Sequence, residues 1–176
     1  MLSTLLVVTI ARAALRLSPQ YTPAAINLAD LYRQARRDSE GEAVLRNALA
    51  AAPRDAAIRH ALGLVLTRLK RPDEALAEFR KATEFDPGSS QSAYVYAVAL
   101  HSGGRRDEAM MVLKAALAKH PGNREILSAL FAFSRQAGDT TAALGYAEQL
   151  ATITPDDPNL ARAIQELRQA ANPAAR

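Results

Sequence analysis

Cysteine and tryptophan are absent from the 176 residues, and aromatic residues make up only 5%. Without thiols the chain builds no disulfide scaffold, CxxC redox pair, thiolate nucleophile, Cys-ligated zinc site or CxxCH haem attachment. The compartment stays open, because a thiol-free chain folds alike in reducing and oxidising surroundings. No apolar run approaches the roughly 20 residues that cross a bilayer as a helix, so no membrane span is expected. Charge of one sign is scarce as well. The 22 Lys+Arg against 18 Asp+Glu leave +4, an excess that suits an acidic partner but is modest for a nucleic-acid binder. Catalytic spacings are missing too: there is no HExxH, Ser-His-Asp order, carboxylate cluster or phosphate-cradling glycine loop, so neither an enzyme nor a metal or cofactor is expected.

What is present is a period. Pro19, Pro53, Pro87, Pro121 and Pro155 stand 34 residues apart, and other positions keep their phase. Gly41, Ala75, Ala109 and Ala143 precede the last four prolines by 12 residues, and Ala48, Ala82, Ala116 and Leu150 precede them by 5. Leu28, Leu62, Tyr96 and Leu130 stand 25 before them, each followed by Ala29, Gly63, Ala97 or Phe131. Within one unit, residues 56–69 and 73–85 each carry apolar side chains at three- and four-residue steps, which predicts two amphipathic helices. Short polar turns join such pairs: ARRD (35–38), KRP (70–72), GGRRD (103–107) and AGDT (137–140). In the second of these Asp73 is expected to cap the helix that follows. Small residues at the helix crossing let backbones approach, and a bulky side chain at Ala75 or Ala109 would overpack it. One such hairpin cannot bury both faces alone, so its stability comes from stacking on neighbours.

These phased residues resemble the tetratricopeptide repeat (TPR) family. The Leu62–Gly63 pair with Ala75, Phe79, Ala82 and Pro87 carries the resemblance within one unit. It implies an all-α, right-handed TPR superhelix of antiparallel hairpins, with units at 22–55, 56–89, 90–123 and 124–157, a half unit at 1–21 and a capping helix at 158–171 forming a single solenoid. Asp157 and Pro158 would open that cap. The departures from the pattern are the missing early tryptophan, Gly41 for alanine, and Phe131 and Leu150 where small residues are usual. A narrower resemblance, on PAAINLADLYRQ, AYVYAVALHSGGRRDEA and ALAKHPGNREIL, is to the TPR arm of bacterial proteins that also carry a multihaem cytochrome region. It implies a periplasmic setting. Otherwise the cytoplasm is the default, since the apolar start MLSTLLVVTIARA lacks the basic stretch of a signal peptide. Read in phase, that start is instead a second helix whose flank, Leu5, Leu6, Val8 and Leu15, has no cover. Such a flank suits self-association into a homo-oligomer or docking to another domain.

The resemblance also implies which residues face a concave groove: a first row of Ile26, His60, Tyr94 and Ser128, a second of Asp30, Leu64, Val98 and Ala132, and a third of Arg33, Thr67, His101 and Arg135, with Arg68 beside it. A peptide segment or partner domain is the expected ligand, anchored by Tyr94, with Arg68 or Arg135 reaching an acidic side chain or terminus. The carboxylate clamp of chaperone-binding members is not matched, because the corresponding places hold Ile26, Asp30, Ala61, Gln91 and Val95. The basic turn residues Arg36, Arg37, Lys70, Arg71, Arg105 and Arg106 are each followed by Asp38, Asp73 or Asp107, so a charge-balanced edge is expected rather than nucleic-acid binding.

Overall fold

The computed structural model describes residues 2–18 and 21–171, with side chains from residue 8 onward. The side chains of Leu5 and Leu6, and the terminal residues 172–176, lie outside that description. Every regular element among the described residues is a helix: α1 (Leu2–Leu17), α2 (Thr22–Gln34), α3 (Asp38–Ala51), α4 (Ala56–Arg68), α5 (Pro72–Phe85), α6 (Ser90–Ser102), α7 (Arg106–Lys119), α8 (Arg124–Ala137), α9 (Thr140–Ile153) and α10 (Pro158–Ala171).

The prolines set the stops. α3, α5, α7 and α9 each end two residues before Pro53, Pro87, Pro121 or Pro155. The residue between, Ala52, Asp86, His120 or Thr154, has φ from −133 to −128° and ψ from 66 to 79°, because the ring that follows excludes the helical region. The starts are phased too. Asp55, Ser89, Asn123 and Asp157 accept the amides of Ile58, Ser92, Ile126 and Leu160 at 3.0, 3.1, 2.9 and 3.2 Å. These are N-caps for α4, α6, α8 and α10, and the one at Asp157 is the cap expected from the sequence.

Each first helix closes by one device. Arg36, Lys70, Gly104 and Gly138 take φ of 58, 60, 80 and 75°. The amides of Arg37, Arg71, Arg105 and Asp139 then reach back to the carbonyls of Tyr32, Leu66, Leu100 and Ser134 at 2.8–3.0 Å. This is a Schellman closure repeated four times in phase. The second helices begin in a way that corrects the expectation for Asp73. α5 starts at Pro72, its boundary residue is Arg71, and Asp73 sits inside the first turn with Glu74. There it complements the positive end of the helix rather than capping it. The turn cations are balanced not by Asp38, Asp73 and Asp107 as a set but mainly by the glutamate three residues on: Arg37–Glu40 at 2.8 Å, Arg71–Glu74 at 2.6 Å and Arg105–Glu108 at 2.6 Å.

Two compact units result, residues 1–87 and 88–176. In the first, α1 packs on α2, α2 pairs with α3, α4 with α5, and α2 also meets α4. Its interior is Leu28, Leu45, Ile58, Leu62, Leu66 and Phe79, none more than 2% exposed. In the second, α6 pairs with α7, α8 with α9, α6 meets α8, and α10 lies on α9. Leu100, Leu113, Ile126, Leu127 and Leu130 fill it, and α10 adds Leu160 and Ile164 to Leu127, Ala147 and Leu150. Arg162, Gln165 and Glu166 on α10 stay exposed, as a capping helix requires.

Candidate functional site

In the first unit the expected groove residues lie on α2 and α4. Ile26 and His60 are half-buried, and Leu64 is 43% exposed. Asp30 and Arg33 pair with each other at 2.8 Å. Arg68 is already engaged: its guanidinium grips the Asp38 carboxylate in two bonds, 2.7 and 3.2 Å, and so ties α4 to α3 rather than standing free for a ligand. His60 lies 5.8 Å from the Phe79 ring, and its Nδ1 is buried with no partner among the described residues. Burial pushes its pKa below the ordinary value of 6.5, because charging the ring there costs hydration that nothing returns.

In the second unit the expectation gathers into one place. Tyr94 and Val98 of α6 face Ser128, Ala132 and Phe133 of α8 across a recess of about 760 Å³. Ser128 and Ala132 belong to the same sequence rows. His101 stacks on Phe133, with ring centroids 3.7 Å apart and planes at 10°. That contact fixes the Phe133 ring in the wall of the recess. Arg135 does not line this recess. It belongs to a second one, of about 260 Å³, where α8 faces the end of α9 and the start of α10, and its guanidinium lies 5.6 Å from the Phe131 ring centre.

Sequence reasoning missed Arg124 and Phe133. Arg124 lines both recesses. The available signal was aromatic clustering, since two of the four phenylalanines, Phe131 and Phe133, fall within three residues of α8. His120 proves structural: its Nε2 donates to the Gly88 carbonyl at 2.8 Å, which joins the end of α7 to the start of α6.

The family described as the TPR domain of cytochrome c-type biogenesis protein H matches residues 39–161. No curated protein matches the sequence. Among solved structures, YrrB, titled a TPR protein with an unusual peptide-binding site, superposes with a TM-score of 0.70 at 21% identity, over 90% of this chain and 81% of its own. MamA gives 0.71 at 14% identity, over 82% and 85%. PilF of Pseudomonas aeruginosa gives 0.70 at 25% identity, over 85% and 68%. These likenesses establish the TPR fold, in agreement with the resemblance read from the phased residues. The narrower resemblance is met as far as a family named for cytochrome biogenesis. Proteins of this fold are scaffolds for protein partners and typically noncatalytic. No described helix is long and apolar enough to cross a membrane.

Proposed function

Because the chain belongs to the family of the cytochrome c-type biogenesis protein H TPR domain, we propose that it is a noncatalytic scaffold that holds a peptide segment of a protein partner on the inner face of its hairpins, in work connected with c-type cytochrome biogenesis. The observation that carries this reading is the recess walled by Tyr94, Val98, Ser128, Ala132 and Phe133. Its volume of about 760 Å³ falls in the range of about 300–1,000 Å³ of ligand pockets, and its lining is apolar with a few polar groups. Tyr94 is the anchor: a large ring with a polar tip, half-buried before any partner arrives. His101 keeps Phe133 in position. On the first unit, taken by itself, Ile26, Asp30, Arg33, His60, Leu64 and Arg68 form a further candidate contact surface, with Arg68 serving its rim because Asp38 already holds it. Arg135 meets an acidic group of the partner.

The test is selection of peptides from a random display library on the full chain, followed by titration of a recovered peptide. Tyr94→Ala, with its helical circular dichroism unchanged, should weaken binding at least tenfold. Recovery of no peptide, or equal affinity for Tyr94→Ala combined with Val98→Asp, would sink the reading.

A second reading, self-association through α1, is not supported by the expected flank, since Val8 and Leu15 are half-buried and Leu15 lies beside Leu28 and Val44. It rests instead on Ile10 and Leu17, which are 59% and 87% exposed. Light scattering of the wild type and of Ile10→Glu/Leu17→Glu separates the two. An oligomer that dissociates in the variant favours the second reading, and an unchanged monomer removes it.

A further inference from the structure

Arg124 and Arg135 stand 11 positions apart on α8, which brings them within about 20° of one direction and about 16.5 Å apart along the axis. Ser128 and Phe131 lie between them on the same stripe, and all four line the recess against α9 and α10. Neither arginine forms an ion pair with the described residues, a state they share with Arg36, Arg54, Arg106 and Arg162; what sets them apart is that both line one recess. Arg124 opens α8, as Arg106 opens α7, at the end where the macrodipole disfavours a cation, and Glu125 follows it in the first turn. The nearby acids are Glu125, beside Arg124 in the first turn, and Asp157, whose Oδ1 is already accepting the amides of Asn159 and Leu160 at 2.9 and 3.2 Å. Phe131 occupies the phase of Ala29, Gly63 and Ala97, so this unit alone of the four presents an aromatic ring there.

The recess, of about 260 Å³, is lined by all four residues of that stripe. One carboxylate group cannot span two cations so far apart. An extended chain advancing about 3.3 Å per residue covers the distance in about five residues.

Resting on the peptide-scaffold reading above, we propose that the stripe Arg124–Ser128–Phe131–Arg135 binds an extended acidic segment of the protein partner. Two of its carboxylate side chains, about five positions apart, pair with Arg124 and Arg135, and an apolar side chain between them lies on Phe131. Charge-assisted pairs of this kind are the strong hydrogen bonds of an interface.

The peptides recovered by display on the full chain supply the probes. They should be enriched in Asp or Glu pairs four to six positions apart. Changing both acids to their amides should weaken binding at least tenfold at low salt. Arg124→Ala/Arg135→Ala should lose as much, and in that variant the acid-to-amide change should have no further effect. Recovered peptides without acidic enrichment, amide peptides that bind alike, or acid preference surviving in the double variant would each overturn the proposal. So would displacement of the acidic peptide by poly(U), which would mark the stripe as a phosphate binder. The two readings fail separately. Loss of binding in Tyr94→Ala without any acid preference keeps the groove and removes the stripe, while acid preference untouched by Tyr94→Ala does the reverse.

Discussion

Gly63 and Phe79 share a space that admits no methyl group: a Cβ on Gly63 would lie 2.5 Å from Cε1 of the Phe79 ring. The pair joins α4 to α5 across the second hairpin. The last hairpin reverses it, with Phe131 in the phase of Gly63 and Ala147 in the phase of Phe79. Both side chains join the Leu127–Leu150 cluster, so the total volume across the crossing is kept while its direction changes.

Gly63→Ala should therefore destabilise the protein. Overpacking costs about 1–3 kcal/mol, and the better helix propensity of alanine returns at most about 1. Adding Phe79→Leu should recover part of the loss, which would appear as non-additive urea midpoints. Additive losses would mean that the two residues are not coupled.

The left-handed closures make a signed prediction. Lys70 and Arg36 hold φ of 60 and 58° with full side chains, whereas Gly104 and Gly138 meet the same need with none. Lys70→Gly should stabilise by up to about 1 kcal/mol, the strain of about 1–2 being partly offset by the entropy of an added glycine. Gly138→Ala should cost about 1 kcal/mol. Thermal melts of the two variants should move in opposite directions.

Ser134 is 1% exposed, and its Oγ has no partner among the described residues. It takes the phase of Tyr32, Leu66 and Leu100, all interior. Ser134→Ala should raise stability by about 1 kcal/mol, since an unsatisfied buried hydroxyl costs about 1–3. A lowered urea midpoint would show that the hydroxyl is satisfied.

His60 titrates with a definite sign. Its pKa is depressed in the folded protein by burial and returns to about 6.5 on unfolding. Between those two values the unfolded chain binds the extra proton, so stability is full above pH 6.5 and falls as the pH drops through that window. His60→Leu should flatten this part of the profile of urea midpoint between pH 7.5 and 5. An unchanged slope would assign the acid sensitivity to other groups.

The architecture was readable because the signals were local and periodic. Pro53, Pro87, Pro121 and Pro155 impose their stops on the residue before them, and Asp157 could be seen as a cap from the chain alone. The site was less readable because its partners come from other helices. Arg68 looks free on a helix face, yet Asp38, 30 residues earlier, holds it. Asp73 carries a side chain that suits a cap, whereas Arg71 holds the boundary and reaches both Glu74 and Glu42. Rows of a helix name what shares a face. They do not reveal that His101 would clamp Phe133 or that Arg124 would edge two recesses.

The proline stops and the phased caps at Asp55, Ser89, Asn123 and Asp157 have a consequence for how such a chain can be rebuilt. Each junction carries its own terminator and its own initiator within a few residues. A 34-residue cassette cut at those points keeps both ends finished, so duplication or excision of one would leave no frayed terminus to repair, only a neighbouring surface to match.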